Sequence, residues 1–148
     1  MTVPGELARL LAGWPLAGVA EQAFPFLTID EAGFPHVVLL SRAELDVAPD
    51  GGTVLAVIAS PRTRANLARS GRATLIAISG TTAHCTKLAV RRVIETEAAL
   101  GCALAMTEHK ADSLGIPLTP VSYVPPPELA ALESWEASRD LLSRLAQP

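Results

Sequence analysis

Four arginines, Arg62, Arg64, Arg69 and Arg72, fall within eleven consecutive positions of a chain whose net charge is −3. They sit in the stretch SPRTRANLARSGRATLIAI, residues 60–78. Ser60 is a competent N-cap, Pro61 suits a first helical position and Gly71 suits the position past the end, so a helix is expected over 61–70. Its first turn then carries Arg62 and Arg64 at the positive end of the helix dipole, where cations are disfavoured. An anion would resolve that conflict. Free backbone N–H groups, the Thr63 hydroxyl and two guanidinium groups together make a phosphate cradle. The competing reading is a solvated helix face whose arginines pair with Glu44, Asp46 or Asp50. Residue types alone leave both open.

Other reactive residues form no set. His36, His84 and His109, with Cys85 and Cys102, lack ligand spacing, and adjacent His84 and Cys85 point to opposite faces of a strand, so no metal site is expected. There is no GxSxG elbow for a nucleophilic serine, and Cys85 reads equally well as a small core residue. DGGTVLAV precedes a strand instead of opening a helix and lacks the GxxxxGK pattern, so it is no phosphate loop. Lys87 is either a surface lysine or a residue that reaches a ligand.

The elements that must position these residues follow from pattern. PGELARLLAGW (4–14) reads as a short amphipathic helix, with Leu7, Leu10 and Leu11 on one face. AFPFLTID (23–30) and PHVVLLSRAEL (35–45) form a hairpin around Gly33. After a turn at 46–52, TVLAVIA (53–59) is a strand apolar on both faces, hence central. RATLIAI (72–78) is another buried strand, and 83–98 a long one with Cys85, Lys87, Ala89 and Arg91 on one parity. ALGCALAMTEHKADSLG (99–115) reads as a helix with Leu100, Leu104 and Ala111 inward. A proline-bordered edge strand is expected over 116–125, then a last helix over 128–145 with Leu129, Leu132 and Trp135 on its apolar face. Consecutive strands joined by tight turns argue for antiparallel pairing: a small barrel with helices outside.

Composition bounds the function. The 148 residues suit one domain with a real core. Hydrophobic content of 49% against 18% charged leans toward an oligomer, since a small monomer this apolar exposes large patches. The acidic balance and six aromatic residues disfavour nucleic acid. Two cysteines without paired spacing suggest a reducing, cytoplasmic setting. No leader pattern or membrane-length apolar run is read in the sequence.

The stretch FPFLTIDEAGFPHVVLL…GGTVLAVIASPRTRANLARSGRATLIAI, within 24–78, resembles the pyridoxamine 5′-phosphate oxidase-like family of FMN-binding split β-barrels. It carries the likeness in three pieces: a hairpin with a D-x-x-G-x-P-H turn, a strand ending in a small or polar residue, and S-x-R-T-R-x-N-L-x-x-x-G-R-x-x-L. The resemblance implies a mainly β fold, a split antiparallel barrel with flanking helices, filling residues 1–148 as one domain. It implies a homodimer with FMN in a groove between the two barrels. The phosphate positions fall on Arg62 and Thr63, with Ser60 and Arg64 beside them. The ring would lie along Val38, Leu39, Leu40, Ser41 and Arg42, with Val57 and Ile58 from the strand before the helix. A contact from the long strand would fall near Cys85 or Lys87.

The sequence departs from the true oxidases at identifiable places. Their Arg-Lys phosphate pair reads Arg-Thr here, Val38 and Ala43 stand for basic residues on the second strand, and their C-terminal Trp and Arg signature is missing. The expected activity is therefore a flavin-dependent redox reaction on an unidentified substrate, with no side chain marked as a catalytic acid or base. Relatives of this fold carry deazaflavin or haem, so those cofactors stand beside FMN. The reading from another class is a non-catalytic dimeric binding or scaffold protein that has lost the cofactor.

Overall fold

Strict alternation builds the first hairpin. In the computed structural model, which describes residues 1–148, helix α1 (Gly5–Leu11) and a two-residue strand β1 (Glu21–Gln22) precede β2 (Phe24–Ile29) and β3 (Pro35–Leu40). Phe24, Phe26 and Thr28 are buried on one face of β2, while Pro25, Leu27 and Ile29 turn to the other. The hairpin register runs from Phe24↔Leu40 to Ile29↔Pro35. Its turn is fixed by the Asp30 carboxylate, which accepts the Phe34 N–H at 2.9 Å, and by Gly33 at φ 88°.

Next come β4 (Leu45–Val47), β5 (Thr53–Ile58), helix α2 (Pro61–Ser70), β6 (Arg72–Ser79), β7 (Thr82–Glu95) and β8 (Leu100–Ser113). The seven strands of the main sheet lie in the order β3-β2-β6-β7-β8-β5-β4, and every neighbouring pair is antiparallel. Its edge strands, β3 and β4, are joined by one tight turn. There the Ser41 N–H and hydroxyl both donate to Glu44 Oε1 at 3.1 Å, and the Glu44 N–H donates back to the Ser41 carbonyl. The sheet therefore curls into a half-barrel whose two edges meet at a corner.

The interior holds Phe24, Phe26, Leu45, Val54, Ile58, Leu75, Leu88 and Leu104. Helices close it at opposite ends of β6. At the Ser79 end, α1 inserts Leu7 and Leu11. At the Arg72 end, α2 inserts Leu67, and its Asn66 amide donates to the buried Thr28 hydroxyl at 3.0 Å. The chain finishes with β9 (Ser122–Tyr123), which pairs with β1, and helices α3 (Leu129–Leu132) and α4 (Trp135–Ala146). A second cluster on the outside of the barrel joins Leu55, Val57 and Ala103 to Leu141, Leu142 and Leu145 of α4.

Several sequence expectations are corrected. The segment read as a helix over 99–115 is strand β8. Leu100, Leu104 and Ala111 share a face in either reading, but as a strand it alternates Leu100, Cys102 and Leu104 into the interior with Gly101 and Ala103 under α4. Helix α4 crosses so closely that a Cβ on Gly101 would lie 2.8 Å from Leu141 Cγ. The 116–125 strand shrinks to two residues, because Pro117, Pro120 and Pro125 carry no N–H to donate. The 128–145 helix breaks at Ser134, which stands at φ 53°, so Trp135 is buried while Leu132 is exposed. The 35–45 strand is interrupted by the 41–44 corner, and Asp46 and Val47, expected in a turn, pair with β5. β5 is one strand in from the edge, and its doubly apolar sequence answers to the interior on one side and α4 on the other.

Candidate cofactor site

Helix α2 begins as its cap residues dictate. Ser60 Oγ accepts the Thr63 N–H at 3.3 Å, and Gly71 ends the helix in the left-handed region at φ 66°. The two first-turn arginines then diverge. Arg64 folds back to donate to the Thr96 carbonyl at 3.2 Å and stands 3.6 Å from Glu95. Arg62 is exposed and makes no ion pair or side-chain hydrogen bond. Beside it the Thr63 side chain is fully buried and its hydroxyl has no partner. The acidic residues considered as partners are engaged elsewhere. Asp46 lies 3.6 Å from Arg139, Asp50 caps its own turn, and Glu44 is held by Ser41.

On β3, Val37 and Leu39 point outward and are about half exposed, while Val38 packs against the core and Leu40 is buried in it. Ser41 is buried at the corner. Arg42 is committed to the fold: Nε and Nη2 donate to the buried Glu21 carboxylate at 2.7 and 2.9 Å, and Nη1 donates to the Ala12 carbonyl. Burial alone would raise the Glu21 carboxyl, yet hydrogen bonds from Arg42 and from the Leu16 N–H hold it below the ordinary carboxylate range. Val57 lies under α4, and Ile58 faces the interior.

The surface carries distinct grooves. One, of about 790 Å³, runs over the outer face of β2, β6 and β7 and is lined by Leu27, Ile29, Ile76, Cys85 and Lys87. Lys87 there pairs with Glu108 at 2.6 Å, and both are exposed. A cleft of about 590 Å³ lies between the β5–α2 junction and the α3–α4 segment, lined by Val57, Ala59, Thr96, Ala99 and Arg144. Glu44 also lines it, its carboxyl pushed up by burial against the hydrogen bonds from Ser41. A smaller hollow of about 200 Å³ holds Leu39, Leu40 and Ser41 beside Val121 and Tyr123.

One chain thus brings Ser60, Arg62, Thr63 and Arg64 together by sequence proximity and Leu39 to Arg42 likewise. It leaves Val57 on the cleft and Lys87 on the outer groove, and it puts Ile58 and Val38 inward. Thr96, Ala99 and Arg144 were not singled out by sequence, and no motif marks them, because they reach Val57 only through the β8 pairing and the fold-back of α4. No helix is long and apolar enough to cross a membrane.

No family model matches the chain, and no curated protein matches it in sequence. Solved structures do. HupZ of Group A Streptococcus superposes with a TM-score of 0.58 at 12% identity, over 80% of this chain and 100% of that one. The styrene monooxygenase flavin reductase of Pseudomonas putida S12 gives 0.50 at 11% identity, over 68% and 95%. An F420 reductase gives 0.50 at 10% identity, over 60% and 89%. At such identities the likeness is one of fold: a curled antiparallel half-barrel with flanking helices. The arrangement expected from the 24–78 motifs is the one the backbone adopts: a curled, seven-stranded antiparallel half-barrel of the split-barrel kind, flanked by helices.

Proposed function

We propose that the chain is a flavin-binding oxidoreductase of the split-barrel type, cytoplasmic and homodimeric, acting on a small substrate whose identity is open. The observation that carries this reading is the first turn of α2. An unpaired Arg62 guanidinium and an unpartnered Thr63 hydroxyl stand at a capped helix start, with Arg64 alongside. FMN suits that turn, because its terminal phosphate supplies the anion the turn lacks. The ring would lie against the Leu39–Arg42 segment of β3 and beside Val57 and Ile58 of β5. Lys87, on a different groove of the same chain, would come from the partner copy across the dimer. The apolar outer face formed by Ile29, Val37 and Leu39 supports that assembly. FMN would supply the electron chemistry; the chain's residues bind the phosphate, bury the ring and shape its surroundings.

One observation favours the second reading, a cofactor-free dimeric binding protein. Arg42 and Arg64 already pair with Glu21 and Glu95, which leaves less positive charge for a phosphate. A fluorescence titration separates the two. FMN should bind and riboflavin, without phosphate, should bind poorly. Arg62→Ala should weaken FMN by about ten- to a hundredfold, the worth of a charge-assisted hydrogen bond, and leave riboflavin almost unchanged. Equal binding of both flavins, or FMN affinity indifferent to Arg62→Ala, overturns the phosphate assignment. Absorbance of the purified protein distinguishes flavin from deazaflavin or haem.

A further inference from the structure

Opposite Cys85 and Lys87, the inner face of β7 carries a polar chain inside the barrel wall. Thr86, which is fully buried, has its hydroxyl 2.9 Å from His109 Nδ1. His109 Nε2 lies 3.2 Å from His84 Nδ1, with the rings 30° apart. His84 Nε2 lies 3.3 Å from Glu6 on α1, off the line of a hydrogen bond, so this buried nitrogen has no full partner. Glu6 in turn accepts the Ser79 hydroxyl at 2.6 Å.

We propose that His84 and His109 act as a one-proton store that tightens the hold of helix α1 on the barrel when it fills. A neutral imidazole has one N–H and one lone pair. With both rings neutral, the contacts are satisfied in one direction only. Thr86 O–H donates to His109 Nδ1, His109 Nε2–H donates to His84 Nδ1, and His84 Nε2–H faces Glu6. One added proton reverses the middle bond. His84 becomes imidazolium and donates from Nδ1 to His109 Nε2, His109 Nδ1–H donates to Thr86, and the new charge stands against the Glu6 carboxylate. A second proton would set N–H against N–H across the 3.2 Å contact and is opposed by it.

The surroundings assign the charge to His84. Burial, then the neighbouring His84, hold His109 below the ordinary histidine range. The Ser79 hydrogen bond, ahead of the charge of His84, keeps Glu6 below the usual carboxylate range, so it is ionised when the pair titrates. From α1 the groups that bear on the pair are Glu6 and, through Glu6, Arg9. β6 contributes only the neutral Ser79, and β8 contributes His109. Lys110 and Asp112, which pair with each other, alternate to the outer face of β8. The filled store therefore gains an ion pair between β7 and α1, whose Leu7 and Leu11 seal that end of the core.

Nuclear magnetic resonance of the full chain with labelled histidines, between pH 4.5 and 8.5, tests this. His84 and His109 should share a single one-proton step whose charge resides on His84, and Glu6→Gln should lower the midpoint of that step. Amide exchange in α1, corrected for intrinsic rate, should slow by about two- to fivefold as the store fills, the worth of a partly exposed ion pair. Glu6→Gln should abolish that pH dependence while the spectrum stays folded. Separate full titrations of both rings, or α1 exchange with the same pH dependence in Glu6→Gln, would overturn the proposal.

Discussion

The contact between Gly101 and α4 can be tested with a single methyl group. Gly101 sits in β8 between Val57 and Ile94, and a Cβ there would lie 2.8 Å from Leu141 Cγ and 3.0 Å from Leu145 Cδ1. Leu141 Cγ is a branch point, not the free end of a flexible chain, so Gly101→Ala must displace α4 or twist β8. Overpacking of this kind costs about 1–3 kcal/mol. Replacing glycine in a strand returns about 0.5–1 kcal/mol of backbone entropy. The clash wins, and the net loss should be about 0.5–2 kcal/mol. For a chain of this size that is a fall in Tm of about 1–8 °C, read by circular dichroism or calorimetry. The decisive measurement is the double-mutant cycle. Leu141→Ala alone should cost about 2–5 kcal/mol, but it also removes the atom that the added methyl group would strike. Gly101→Ala should then cost less in that background, by more than the roughly 0.3–0.5 kcal/mol expected of independent sites. Additive losses, or a stabilising Gly101→Ala, would refute the close crossing of α4 over β8.

The Glu21–Arg42 pair should set acid stability. Because the Glu21 carboxyl is depressed in the fold, its contribution is present above the ordinary carboxylate value and is lost as pH falls through the depressed one. Arg42→Ala should cost about 1–3 kcal/mol at neutral pH and flatten the acid limb of a stability-versus-pH curve; parallel curves for variant and wild type would show the pair to be idle. Cys102 is fully buried and its thiol is pushed up to about 12 by burial, so iodoacetamide at pH 8 should label it only after unfolding. Mass spectrometry of the labelled native protein would expose the error if Cys102 reacts like a free thiol.

What was legible in the sequence was local. Ser60, Pro61 and Gly71 mark both ends of α2 to the residue, because capping depends only on neighbours in the chain. The Asp30–Gly33 turn and the alternation of Phe24, Phe26 and Thr28 likewise announce the hairpin. β8 reads as a helix in sequence because LGCALAM is buried on both faces, and a run without a polar face has no period to separate strand from buried helix. Its second cover, α4, comes from forty residues further along, where no local pattern points back. The same holds at the site. The cap and the arginines of α2 were readable, whereas the fold-back of Arg64 onto Thr96 and Glu95 depends on where β7 ends. The His84–His109 contact depends on the β7–β8 register, which two isolated histidines in the sequence do not reveal.

The place of β5 in the sheet has a consequence in time. Its long partner is β8, paired from Thr53↔Ala105 to Ile58↔Leu100, and its other neighbour, β4, is only three residues. At a synthesis rate of about 5–20 residues per second, β5 leaves the ribosome roughly 2–9 seconds before its partner strand. The leucines of α4 that cover its outer face follow later still. Throughout that interval a strand apolar on both sides has one short partner and no cover. Nascent chains should therefore be most prone to associate through residues 53–58, and a holdase that masks this segment until the last helix emerges should raise the yield of folded protein.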